Sequence, residues 1–406
     1  MKYMLLDKIA FFKLKLKNKK ILLSFILFFL LIGLVFGRGG FNKLKTNEGT
    51  QMRHIKIGQY INAVAWNKDD SLLAVLSDVG GHITVFDTST WEMRNEFDLY
   101  TGLYAGNSLT FLPDDSLVLT TPTGTSPDPS YKDLTVFSLM NIDSKNGSLI
   151  KYYPNLPQKE GQQLTQQISI GHHTISKDGA LIAGIMDGGG NDIFVFNAAS
   201  GQLIKRFSIP RIVPKPGYGP ELITALAFSP NGQELVLGTG TPDNSAKLIF
   251  CDPFSGKLLR KFIVFRSSSD DVDPLSVNQY SINNLAYSGD GRYIAIGKKV
   301  WAASELNTEI ISIWDVDKGK QIGSLDGKEI FGFQPTQVYE GFSLSWSHDV
   351  LASGEGRSLK IWSTKDMNFK LIKEINDRDG AYSVSFSHST VLAASLGNEL
   401  LIVNFK

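Results

Sequence analysis

Asn284-Leu285-Ala286-Tyr287-Ser288-Gly289-Asp290-Gly291-Arg292-Tyr293-Ile294-Ala295-Ile296-Gly297, followed by Ile311-Ser312-Ile313-Trp314-Asp315, holds the pattern from which the fold can be read. An apolar strand ends on an aromatic residue and a tight polar turn follows. A second strand comes next, and a third closes on a large apolar residue and a short polar one. Outward from this stretch the pattern recurs seven times between Tyr60 and Phe405. The first strands are anchored by Trp66, Phe111, Ile175, Phe228, Tyr287, Trp346 and Phe386, at intervals of about 40 to 65 residues. The third strands close on Phe86-Asp87, Phe137-Ser138, Phe196-Asn197, Cys251-Asp252, Trp314-Asp315, Trp362-Ser363 and Val403-Asn404. Repetition on this scale predicts radially repeated four-stranded sheets, each packing on its neighbours, so that 406 residues need only one large domain.

Fourth strands follow six of the units: 93–99, 148–153, 203–209, 258–264, 320–325 and 369–375. None follows the seventh. Met52-Arg53-His54-Ile55-Lys56-Ile57 has the alternation and length to supply it, which predicts that the first and last segments share one sheet and leave no open edge. Ile313-Trp314-Asp315 and Leu359-Lys360-Ile361-Trp362-Ser363 resemble the WD-repeat family of β-propellers, and the resemblance extends, with degenerate motifs, over Met52 to Lys406. The Gly-His pair of that family occurs only at Gly81-His82 and Gly171-His172. The resemblance implies an all-β, seven-bladed β-propeller closed by an N-terminal strand. It also implies a scaffold that binds protein, because such propellers mostly organise complexes.

Composition suits a globular β protein, with 42% apolar and 11% aromatic residues, 38 glycines and 15 prolines. The 41 basic and 40 acidic residues nearly cancel, which argues against a nucleic-acid partner. The lone Cys251 excludes an internal disulfide; it stands in place of the third-strand tryptophan and is expected to be buried and inert.

Residues 1–20 form a basic segment with Lys2, Lys8, Lys13, Lys15, Lys17, Lys19 and Lys20. Residues 21–37 are uncharged and apolar, and as a helix would reach about 25 Å of a ~30 Å hydrocarbon core. The lysine excess on the N-terminal side predicts a single-pass anchor with a cytoplasmic N-terminus and an exported propeller. A cleaved signal peptide and a secreted product are the competing reading, with Val35-Phe36-Gly37 near the cut. Residues 38–50 read as a flexible tether before the propeller at 51–406.

Strand direction alternates, so the turns between first and second and between third and fourth strands share one face. These are short except at 140–147. The insertions 122–132, 154–167, 210–221, 266–279, 298–309 and 327–339 fall on the opposite face, which is where a protein or peptide partner is expected. Tyr60, Tyr104, Tyr280 and Tyr339 stand six or seven positions before their anchors, and Tyr218 at a looser offset. They are candidates, with Arg211, for the channel mouth; filling gaps between blades is an equally available role.

No catalytic residue and no cofactor is expected. The histidines His54, His82, His172, His173, His348 and His388 lack metal-ligand spacing. The acidic loop at Ser269-Asp270-Asp271-Val272-Asp273 and the stretch Asp187-Gly188-Gly189-Gly190-Asn191-Asp192 read as solvated connections. One alternative is a metal-dependent hydrolase similar to the lactonase-like propellers. In it Asn62, Asn107, Glu221, Asn283 and Glu340, near the starts of first strands, would converge on a divalent metal at the channel mouth. Sequence fixes neither oligomeric state nor the partner.

Overall fold

The computed structural model describes residues 50–77, 81–99, 108–125, 135–153, 170–186, 191–210, 221–241, 245–266, 280–300, 309–326, 342–381 and 383–405. The chain divides into a unit of Met1–Glu48 and a unit of Gly49–Lys406. The basic leader, the apolar run and the tether up to residue 49 lie outside the described residues. No helix among the described residues is long and apolar enough to cross a membrane.

Apart from one 3-10 turn at Lys365–Met367, every described element is a strand. β1 is Thr50–Lys56. One antiparallel sheet follows in the order β2 (Ile61–Trp66), β3 (Leu72–Ser77), β4 (His82–Asp87) and β5 (Glu92–Asp98). The next is β6 (Leu109–Phe111), β7 (Leu117–Thr125), β8 (Thr135–Ile142) and β9 (Leu149–Tyr153), then β10 (Ile170–Ile175), β11 (Leu181–Met186), β12 (Asp192–Asn197) and β13 (Leu203–Ser208). β14 (Leu222–Phe228), β15 (Leu235–Thr241), β16 (Ser245–Cys251) and β17 (Leu258–Arg266) form another meander. It joins β18 (Tyr280–Tyr287), β19 (Tyr293–Val300), β20 (Glu309–Asp315) and β21 (Lys320–Asp326) through the pairs Gly240↔Ser281 and Thr241↔Tyr280. β22 (Phe342–Ser347), β23 (Val350–Ser363) and β24 (Lys370–Ala381) come next. Last, β25 (Val384–Phe386), β26 (Val391–Leu396) and β27 (Glu399–Phe405) take β1 as their outermost neighbour.

β23 looks like one long strand, but extended it would hold its ends about 43 Å apart. Instead the Thr364 amide donates to the Asp349 carbonyl at 2.7 Å, so the strand doubles back. Its first half pairs with β22 and its second with β24, giving the same four-stranded meander as its neighbours.

Every anchor from Trp66 to Phe386 falls on the last or next-to-last residue of a first strand. One third-strand assignment is corrected. β8 runs on to Ile142, and the Gly147 amide donates to the Asp143 carbonyl just as Gly201 does to Asn197 and Gly256 to Asp252. The closing pair is therefore Ile142-Asp143 rather than Phe137-Ser138, and 140–147 is no exceptional loop. The strand runs five residues past Phe137, and an aromatic followed by a serine inside it had imitated the true end.

First strands touch in succession: β2 against β6, β10 against β7 and β14, β14 against β18, β18 against β22, β22 against β25, and β25 back against β2. The hydrophobic clusters lie between sheets, not within them. Leu139 and Tyr153 meet Ile182 and Phe196 in one; Leu73 and Phe86 meet Leu400 and Ile402 in another. A sheet that presents apolar side chains on both faces requires a neighbour on each, which a row would deny to its end members and a closed circle supplies. β1 pairs antiparallel with β27 from Thr50↔Phe405 to Lys56↔Glu399 and so covers an edge that would otherwise be open. The architecture is a β-propeller.

Candidate binding face

Four of the first strands carry a bulge at a constant place. Register slips at Asn62, Gly171, Thr224 and Asn283, between Ile61 and Ala63, Ile170 and His172, Ile223 and Ala225, and Ile282 and Asn284. Each of the four stands at one offset from its anchor, as 62 to 66, 171 to 175, 224 to 228 and 283 to 287. A bulge turns one side chain away from the regular alternation. Thus Asn62 and Asn283, selected from sequence as polar residues near strand starts, occupy equivalent positions. Thr224 shares that position and was overlooked; its hydroxyl donates to the Ile282 carbonyl of the next sheet at 2.6 Å. Asn283 is half-buried and accepts from the Ser281 hydroxyl at 2.8 Å.

One residue later along the strand lies a series of inter-sheet bonds. Ser383 Oγ accepts from the Val64 amide at 3.2 Å, Asn284 Oδ1 from Leu344 at 3.3 Å, and Ser343 Oγ from Val384 at 3.2 Å. Ser108, at the same offset, donates to the His173 carbonyl at 3.3 Å and lies 3.0 Å from His173 Nδ1. Each bond of this kind is worth about 1 kcal/mol and fixes one innermost strand against the next. The signal, a Ser or Asn three residues ahead of the anchor, is present in the sequence but is invisible without knowing which strands are neighbours.

His172 and His173 point opposite ways, as adjacent strand residues must: the first is exposed and the second 8% exposed. Burial, followed by the proximity of His172, pushes the His173 imidazole down to about 3, so it is neutral at physiological pH. Cys251 is fully buried, and burial pushes its thiol up to about 11, leaving it protonated and unreactive.

Glu221 is 2% exposed, just ahead of β14. Both its carboxylate oxygens meet Lys247 Nζ, at 2.9 and 3.0 Å, and Thr239 Oγ1 donates to Oε1 at 2.9 Å. Its backbone carbonyl accepts from Asn191 Nδ2 of the preceding sheet at 2.9 Å. A buried carboxylate so enclosed holds structure together, and nothing in its sequence context revealed the lysine partner.

Tyr60 precedes β2 and is 58% exposed. The chain beside it is fixed by the amides of Ile57, Gly58 and Ile61, which donate to the carbonyls of Asn398 and Gly397. Tyr280 opens β18, paired with Val300 and Thr241. Tyr104, Arg211, Tyr218, Tyr339, Asn107 and Glu340 lie outside the described residues, as do most of the six insertions. Among the described residues no group of three or more His, Cys, Asp or Glu could hold a metal ion.

No protein-family profile matches the chain, and no curated protein matches it in sequence. Among solved structures it is similar to the β-propeller domain of Cps50 (Swd1) from Myceliophteria thermophila. The TM-score is 0.57 at 13% identity, over 86% of this chain and 98% of that one. Likeness in three dimensions with so little shared sequence speaks to fold alone, and the fold it speaks for is the β-propeller.

Proposed function

We propose that this chain is a membrane-anchored, seven-bladed propeller of WD-repeat type that binds a protein or peptide partner, without catalysis, on the face bearing the insertions. Supporting the blade number are seven first strands, β2, β6, β10, β14, β18, β22 and β25, each touching the next sheet and the last touching the first. Supporting the anchor is the uncharged run 21–37 behind its lysines. On this reading the N-terminus is cytoplasmic and the propeller exported.

The observation that carries the binding reading is the contrast between the two ends of the sheets. At one end the turns are short and closed by the same few backbone bonds in sheet after sheet. All the long connections leave from the other end, where the exposed Tyr60 stands. Rigid scaffolds carry recognition on such loops. The hydrolase alternative loses one of its five candidate ligands, since Glu221 is engaged by Lys247 and Thr239.

A photo-crosslinking residue placed at Tyr60, and at Ser200 on the short-turn end, tests the reading in native membranes. Adducts to a discrete protein from position 60 and not from 200 are expected. Equal adducts from both, or none from position 60, would overturn it.

A further inference from the structure

Seven of the thirteen exposed large apolar residues among the described residues lie on one arc of the rim, while Met93, Ile322 and the pair Leu371-Ile372 stand on other sheets. The outermost strands β9, β13 and β17 belong to consecutive sheets: the Tyr153 hydroxyl donates to the Ala198 carbonyl, and Gly256 lies on the Phe207 ring. Each begins, at the short-turn end, with an exposed pair: Leu149-Ile150, Leu203-Ile204 and Leu258-Leu259. Phe254, in the turn before β17, is 57% exposed, more than any of these six. Single exposed apolar residues need no explanation, but the same pair in register on three neighbouring sheets, with an aromatic beside it, forms a patch.

The same arc is rich in positive charge. Near these starts β9, β13 and β17 carry Lys151, Lys205, Arg206, Arg260 and Lys261, and the three strands hold no acidic residue. Exposed Lys145 and Lys257 extend the positive charge into the preceding turns, where Asp143 and Asp252 bond back to the turn amides. Some of these cations are already paired, Arg260 with Glu234 and Arg206 with Asp192. By contrast β5, the equivalent strand one sheet earlier, sets Glu92, Glu96 and Asp98 against Arg94. Apolar side chains interleaved with Lys and Arg form the composition that lies in a bilayer interface, with the apolar part among acyl chains and the cations at phosphates.

We propose that the arc formed by the starts of β9, β13 and β17 rests on the surface of a bilayer containing anionic lipid. This rests on the anchor reading for its advantage, though not for its chemistry. Residues 38–49 extended span at most about 40 Å, so an anchored propeller stays within reach of the bilayer and even weak docking is populated. β1 enters the propeller at the same end of the rim, because Thr50 pairs with Phe405 where the third-to-fourth turns lie. The inserted face would then point away from the lipid.

The full chain is reconstituted in phosphatidylcholine vesicles with and without phosphatidylglycerol. Ile150→Cys, Ile204→Cys and Leu259→Cys report the arc, and Ser208→Cys, at the other end of β13, serves as control. All four positions are exposed, so folding is spared, and the buried Cys251 stays unlabelled. With an environment-sensitive dye and spin-labelled lipid, quenching is expected at the three arc positions and not at 208, and is expected to weaken without phosphatidylglycerol. If an alkaline wash leaves the protein on the vesicles but the arc dyes behave like the one at 208, docking is wrong and the anchor stands. If the wash strips the protein while arc quenching persists at neutral pH, the anchor is wrong and docking stands. Protein that never floats with vesicles defeats both. A blue shift that follows protein concentration rather than lipid identifies a second copy as the occupant and overturns the proposal.

Discussion

Two junctions between neighbouring turns solve one steric problem in opposite ways. Where β10 turns into β11, Gly179 takes a left-handed backbone, φ +76, and Pro113 of the preceding sheet packs where a side chain would be; an added Cβ would lie 2.3 Å from its Cγ. Where β2 turns into β3, the left-handed position is held by Asp70, φ 61, without glycine's freedom. Its carboxylate receives the amides of His388 and Ser389, each at 2.8 Å, from the last sheet. Asp115, φ 63, likewise accepts from Asn67 Nδ2 at 2.9 Å. One junction is joined by contact and the other by charge-assisted hydrogen bonds. Of the two polar junctions, that of Asp70 stands at the seam where the propeller closes and that of Asp115 between the first two sheets, so the same turn position can specify which neighbour it meets.

Removing residues 51–58 would break the seam outright. It leaves the edge of β27 unpaired and removes Ile55 and Ile57 from the cluster around Leu400 and Ile402, and loss of a cooperative unfolding transition with aggregation is expected on size-exclusion chromatography. Next comes Gly179→Ala, which combines a disfavoured φ with overlap on Pro113. A loss of about 2–4 kcal/mol is expected by urea denaturation. Asp70→Ala strands two amides and is expected to cost about 1–3 kcal/mol. Gly232→Ala separates conformation from contact, since its nearest neighbour across the junction, Ser176 Cβ, would be 3.9 Å away. It should lose only about 1 kcal/mol. A Gly232 loss equal to that of Gly179 would show that packing on Pro113 is irrelevant and dissolve the distinction.

Acid titration gives the smallest and most selective test. Burial pushes the Asp70 carboxyl up, but the bonds from His388 and Ser389 more than offset this and hold it below the ordinary aspartate value. A depressed carboxyl contributes stability above its unfolded pKa and loses it as pH falls through the folded one. Stability should therefore decline on acidification below about pH 4. The decline should be shallower in Asp70→Asn, as followed by the urea midpoint at each pH.

The repeat, the anchors and the borrowed strand were legible because each is a local pattern: period-two alternation, an aromatic, a polar turn. The end of β8 was not, since Phe137-Ser138 imitates the closing pair five residues early. The ladder of β8, which continues to Ile142, and the Gly147-to-Asp143 bond distinguish the two places. The Glu221–Lys247 pair and the Ser343-to-Val384 bond depend on which strands become neighbours, something no window of sequence contains. Most of the candidate site belonged to insertions outside the described residues, so it stays legible only as a contrast between short and long connections.

The pairing of His54 with Glu399 joins residues 345 apart in the chain. At roughly 5–20 residues per second, β1 leaves the ribosome about 17–70 s before its partner β27 exists. Throughout that interval β1 is an unmatched ribbon and β2 to β5 lack their neighbour, so nascent protein must be shielded or kept extended until the last strand arrives. A stop or frameshift late in the gene would spare nearly all the sequence and still leave the first sheet without a flank.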